Sequence, residues 1–139
     1  MHKNVDGENY EGEFRDGMKH GHGLLTALRW YYKGEFRLGK RNGKGEYRWT
    51  DGTNRLYEGG FDEDMFHGQG TYTDEFGNVY IGGYERGKKS GHGMLKMVKK
   101  GLVYEGSWSD GKKDGLGKLI QGEHVLLEGN WKHDEYLHI

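Results

Sequence analysis

Six times along this chain a glycine stands between two bulky side chains, and the interval between copies hardly varies. The copies begin with Tyr10-Glu11-Gly12-Glu13-Phe14 and Tyr32-Lys33-Gly34-Glu35-Phe36. Tyr57-Glu58-Gly59-Gly60-Phe61, Tyr80-Ile81-Gly82-Gly83-Tyr84 and Tyr104-Glu105-Gly106-Ser107-Trp108 follow, and Leu127-Glu128-Gly129-Asn130-Trp131 is a worn last copy. The central glycine recurs at steps of 22, 25, 23, 24 and 23 residues. Five residues after it comes Gly17, Gly39, Gly87 or Gly111, replaced by Asp64 and Asp134 in the third and sixth copies. A glycine pair then closes each full copy: Gly21/Gly23, Gly43/Gly45, Gly68/Gly70, Gly91/Gly93 and Gly115/Gly117. Self-similarity at such a period marks an array in which each unit buries one face against its neighbours.

Each copy reads as a β-hairpin. Tyr-x-Gly-x-Phe/Trp alternates with period two, so Tyr10, Gly12 and Phe14 share one face of a strand. Gly21-x-Gly23-x-Leu25 alternates likewise and forms the return strand. The turn is expected between Gly17 and Gly21, with pairs such as His20-Gly21 and Asn42-Gly43 supplying the left-handed residues a tight hairpin needs. Asp64 and Asp134 are mild departures, since Asp also visits that conformation. The fold class expected is all-β: one elongated, twisted antiparallel sheet of tandem hairpins. Residues 1–139 read as a single array divided at about 10–31, 32–56, 57–79, 80–103 and 104–126, with a half repeat at 127–139. That half repeat shows no return strand. Its edge either takes a strand from a partner or is capped by Tyr136-Leu137-His138-Ile139.

The composition fits this reading. Gly fills 27 of 139 positions and Pro none, while the net charge is only −1 and Trp, Tyr and Phe number 4, 10 and 5. A disordered chain is poor in aromatics and strongly charged, so a core of rings laid on glycine-rich backbone is expected instead. With no cysteine, disulfides and thiolate sites are excluded. No apolar run approaches the ~20 residues that span a bilayer, and MHKNVDGENY lacks a signal-peptide core. A soluble, intracellular setting is expected.

The motif resembles the MORN repeat (membrane occupation and recognition nexus), whose pattern is Tyr-x-Gly-x-Trp/Phe-x-x-Gly-x-x-x-Gly-x-Gly. The resemblance runs from about residue 10 to residue 134. It implies a twisted sheet with an aromatic-lined concave face, and settings such as cytoskeletal and ciliary scaffolds or membrane–cytoskeleton junctions. Asp64, Asp134, Leu127 and the glycine-free link Ala27-Leu28-Arg29-Trp30 depart from the pattern.

Three sets of residues are candidates for binding. The concave aromatics Tyr10, Phe14, Tyr32, Phe36, Tyr57, Phe61, Tyr80, Tyr84, Tyr104 and Trp108 either form the core or leave an open groove for a partner's extended segment. A basic row along the turns, Lys19, Lys40, Arg41, Lys88, Lys89, Lys112 and Lys113, either solvates those turns or meets an anionic membrane. Met65 and Phe66 interrupt that row, as a protein contact or as local packing. His20 and His22 are two residues apart, but the His22 slot holds Lys44, Gln69, His92 and Leu116 elsewhere, so no metal site is expected. Ser90, Ser107 and Ser109 lie in no nucleophile elbow, and no enzyme, cofactor, small-molecule substrate or nucleic-acid partner is expected.

Two functions therefore compete. One is a non-catalytic scaffold in a cytoplasmic, cytoskeletal or ciliary assembly. The other is a peripheral membrane module that binds anionic phospholipid through its basic edge.

Overall fold

A computed structural model gives the structure of the chain and describes residues 2–3 and 7–138, with 2–3 as backbone alone. The described residues form strands and no helix. In chain order the strands are β1 (His2–Lys3), β2 (Asn9–Arg15), β3 (Met18–Thr26), β4 (Trp30–Arg37), β5 (Lys40–Trp49), β6 (Leu56–Asp62) and β7 (Met65–Thr73). Then come β8 (Val79–Glu85), β9 (Lys88–Met97), β10 (Leu102–Ser109), β11 (Lys112–Gln121), β12 (His124–Lys132) and β13 (Glu135–Tyr136). All belong to one 13-stranded sheet whose spatial order is the sequence order, and each strand pairs antiparallel with the next. Two short end strands, β1 and β13, raise the total above the eleven that the repeats alone suggest.

The turns sit earlier than the sequence reading placed them. Arg15 pairs with Met18, which leaves Asp16-Gly17 as a two-residue loop with φ of 52° and 78°. Two positive φ values make the hairpin turn whose twist matches its strands. Leu38-Gly39, Glu63-Asp64, Arg86-Gly87, Asp110-Gly111 and His133-Asp134 repeat this geometry, and Asp64 (71°) and Asp134 (72°) take the left-handed slot that is glycine elsewhere. Those two turns are therefore as regular as the others. The second glycine, such as Gly21 at φ 72°, lies inside the return strand, where the β2–β3 register shifts between Gly12 and Phe14. It belongs to a β-bulge.

The core is a row of rings. Tyr10 crosses the paired glycines Gly12 and Gly23. A Cβ on Gly12 would stand 2.5 Å from the Cα of Gly23 and 2.7 Å from the Tyr10 hydroxyl, and one on Gly23 would run into the Tyr10 ring. The hydroxyl donates to the carbonyl of Glu13 at 2.6 Å, and Tyr32, Tyr57, Tyr80 and Tyr104 donate to Glu35, Gly60, Gly83 and Ser107 in the same way. Each following aromatic stands edge-on between two tyrosines. Phe36 meets Tyr32 at 5.1 Å and Tyr10 at 5.2 Å; Phe61, Tyr84, Trp108 and Trp131 bridge successive tyrosines likewise. Edge-to-face pairs contribute about 0.5–1.5 kcal/mol each beyond area burial, so this zipper couples every hairpin to the next.

At the C-terminal end Leu127 replaces the tyrosine, and the tail supplies the missing ring. Tyr136 donates to the carbonyl of Glu128 at 3.0 Å, meets Trp131 at 5.3 Å and covers Gly129. Its strand, β13, pairs with β12. The tail caps the last repeat, and the half repeat does have a return strand.

Candidate functional site

The spine leaves two faces of different chemistry. Nine of the ten aromatics expected to line an open groove are buried on the ring face: Tyr10, Tyr32, Phe36, Tyr57, Phe61, Tyr80, Tyr84, Tyr104 and Trp108. Tyr57 is 0% exposed. These rings are core, because the paired glycines let each tyrosine lie flat on the sheet and the bridging rings close the gaps. Only Phe14, at the N-terminal end of the spine, is open, at 51% exposure. The groove expected on these residues is corrected accordingly.

The basic row also divides. The residues sit at the start of the return strands, where neighbours point to opposite faces. Lys19, Arg41, Lys89 and Lys113 turn onto the ring face. Lys19 lies 5.6 Å from the Tyr10 centroid, Arg41 5.1 Å from Tyr47, Lys89 5.3 Å from Tyr80 and Lys113 5.4 Å from Tyr104. Lys40, Lys88 and Lys112 project the other way, and Lys40 is ion-paired with Glu63 at 3.5 Å. The seven cations thus form two rows rather than one stripe. Met65 and Phe66 part in the same manner. Met65 is 43% exposed, whereas Phe66 stacks on Tyr57 with centroids 3.7 Å apart and planes 7° from parallel. Phe66 occupies the slot that holds a cation in the other hairpins, and it is only partly buried there.

Above the spine of β4–β7 lies a second aromatic layer, in which Tyr47 and Tyr72 fill the apolar repeat slot of Leu25 while Trp30, Trp49 and Phe66 are additions the repeat does not predict. Trp30 stacks on Tyr47 at 5.1 Å, Tyr47 meets Trp49 at 4.7 Å, and Trp49 meets Tyr72 at 6.0 Å. Phe66 joins at 6.5 Å from Tyr72. All five are half-buried against the core. Period two could have revealed three of them, because Trp30 shares a face with Tyr32, and Trp49 with Tyr47.

The arginines in this layer are fixed. Arg41 donates through Nε and its backbone amide to Asp64 Oδ1, at 3.1 and 2.9 Å. The Asp64 that replaces a turn glycine therefore anchors a cation of the preceding hairpin. Arg55, 4.7 Å from the Trp49 centroid, donates to Asp51 at 2.9 Å. Hydrogen bonds from Thr53, together with Arg55, hold the Asp51 carboxyl down at about 2. Around Tyr47 and Tyr72, burial raises the phenol pKa and the nearby arginines oppose the rise.

The opposite face is polar. One groove of about 790 Å³ runs over the backbone of Gly23, Gly34 and Gly45, walled by Glu11, Leu24, Lys33, Glu46 and Glu58 on one side and His22 and Lys44 on the other. Many of its groups already have partners: Tyr31 donates to Glu46 at 2.7 Å, and Arg48 lies 3.6 Å from Glu46. His22 stands between Glu13 and Glu35 at 3.8 and 4.0 Å, and the Glu13 carboxylate also accepts the His22 backbone amide. Among the described residues no three His, Cys, Asp or Glu side chains converge as a metal site. None of the described elements is a helix long and apolar enough to cross a membrane.

An open ribbon with a ring spine and free faces defines a repeat module that works by contact. The chain belongs to the MORN-repeat family, whose model matches residues 10–27, 32–54, 57–77, 80–99 and 104–121. These five matches fall on the five hairpins from β2 to β11. Proteins of this family are generally non-catalytic modules that mediate protein or membrane interactions. A search of curated proteins returned no match.

Proposed function

We propose that this chain is a non-enzymatic adaptor that holds a segment of a partner protein on the ring face of β4–β7, against Trp30, Tyr47, Trp49, Phe66 and Tyr72. The observation that carries this reading is the second aromatic layer. These rings are half-buried, whereas the first layer is closed. Their arginines are already neutralised by Asp64 and Asp51. The result is an apolar surface held rigid by its own contacts, so an incoming segment loses little conformational freedom in ordering it. Interface anchors are drawn from Trp, Tyr and Arg for the same reason. A cytoplasmic cytoskeletal or ciliary assembly is the setting we propose, tested by whether the tagged protein stays with the detergent-resistant cytoskeleton.

Retention of partners on immobilised protein tests the docking surface. Wild type and Trp49→Ala are compared, with Leu95→Ala as a ring-face control outside the patch. Loss of the same bound protein from Trp49→Ala alone supports the reading, and equal retention by all three contradicts it. The membrane alternative is weakened by the division of the basic row. Flotation with anionic liposomes at physiological salt, lost on charge reversal of Lys40, Lys88 and Lys112, would restore it.

A further inference from the structure

We infer that the segment docked on this face continues beyond the aromatic patch as an acidic stretch, with its carboxylates received by Lys89 and Lys113. This rests on the docking reading above and adds the chemistry of the partner. Lys89 and Lys113 stand over the same indole, 5.6 and 5.7 Å from Trp108. Neither ammonium is ion-paired among the described residues. The nearby Asp134 accepts the Lys113 backbone amide at Oδ1, at 2.8 Å. Lys89 is partly desolvated, which lowers its pKa; the carboxylates of Asp134 and Asp74 oppose that shift and the charge of Lys113 adds to it. Two half-buried cations on one ring attract an anion more strongly than solvated turn lysines do. Arg41 makes the contrast, since Asp64 already fills that role there.

A recess joins the patch to the lysines. It is lined by the rings of Trp49, Phe66, Tyr72 and Tyr84 and by Lys89, with Lys88 and the turn glycines Gly87 and Gly111 at its margin, and has a volume of about 280 Å³. It suits one apolar side chain whose chain-neighbours carry negative charge. The repeat then sets a spacing. Phe66, Lys89 and Lys113 occupy the same slot in successive hairpins, two strands apart, or roughly 10 Å at ~4.8 Å per strand. With three residues per turn at ~3.1 Å each, a polyproline II segment turns every third side chain to the same face, so an apolar residue seated over Phe66 puts the third and sixth residues after it over Lys89 and Lys113. An extended segment also follows the sheet twist of about 20–25° per strand, which a straight helix does not.

The probe is a fluorescein-labelled Ser/Gly peptide with one Trp and Glu at the third and sixth positions after it. Fluorescence anisotropy compares it with a peptide of identical composition in which both Glu directly follow the Trp. The spaced peptide is expected to bind the wild type more tightly. The Lys89→Glu/Lys113→Glu variant is expected to bind it about tenfold or more weakly, since like charges then face each other. A peptide with Lys in place of Glu is expected to recover binding on that variant. Lys89→Met/Lys113→Met, which keeps the stems over Trp108, controls for misfolding and is also expected to lose the preference.

Equal binding of both spacings, or no binding of either by the folded wild type, overturns the inference. So does capture of phosphatidylserine vesicles but not peptide through these lysines. If Trp49→Ala loses its cellular partner while the lysine variants keep it, the docking patch stands and its acidic extension falls. If Trp49→Ala keeps the partner, the patch itself is wrong.

Discussion

Hairpins β4–β7 and β8–β11 carry one continuous spine and finish it differently. In both, a tyrosine lies over paired glycines and an aromatic bridges to the next tyrosine. Above that layer β4–β7 place Trp30, Tyr47, Trp49, Phe66 and Tyr72 with two arginines tied to aspartates. The corresponding positions of β8–β11 hold Leu95 and Leu119, and the cations there are Lys89 and Lys113 without ion partners among the described residues. The repeat thus fixes the first layer by sterics and leaves the second free. The docking patch we propose lies in that second layer.

The largest expected effect breaks both halves equally. Tyr57→Ala and Tyr80→Ala should each lower stability by about 3–5 kcal/mol, the cost of removing a buried ring, as read by denaturant unfolding. A loss confined to one half would contradict a shared spine. The paired substitution should unfold the chain, so buried tyrosines do not serve as tests of binding. A second effect separates the halves. Trp49→Ala should weaken partner binding at least about tenfold, or ~1.4 kcal/mol, while Leu95→Ala leaves it unchanged by calorimetric titration.

A third effect follows from the phenols. Burial pushes Tyr57, Tyr80 and Tyr104 up from 10.0 to about 12. The fold keeps these phenols neutral, so their contribution to stability is full below pH 10 and is lost as pH rises toward 12. Unfolding midpoints measured across that range should fall, whereas a flat profile would deny the burial. The smallest effect is Asp64→Gly. It keeps the left-handed turn, loses the two side-chain bonds from Arg41, and should cost about 1 kcal/mol in chemical denaturation. It also makes Arg41 resemble Lys89.

The spine was legible because its rule is local: a ring needs bare backbone beneath it, and Tyr-x-Gly-x-Phe/Trp states both within five residues. That the rings would close as core was one of two readings, and the choice between them rests on contacts between hairpins, such as Tyr10 covering Phe36 of the next hairpin, which no single repeat displays. The turn was misplaced for a related reason. Gly17 and Gly21 both take positive φ, and a glycine signals that conformation without saying whether a turn or a bulge requires it. Trp30 and Trp49 escaped notice because they lie at the ends of strands, next to links of irregular length. The cap was legible as one of two fates for the last strand, and what the sequence did not show is that Tyr136 takes the tyrosine slot by folding back over Gly129.

Photo-crosslinking tests the central claim most directly. A benzoylphenylalanine is placed at Tyr72, on the ring face, or at Glu58, on the polar face of the same hairpin, and adducts formed in cells are compared by mass spectrometry. The account predicts one protein adduct from position 72 that is absent from position 58. Adducts from position 58 alone would move the docking surface to the polar face and contradict it.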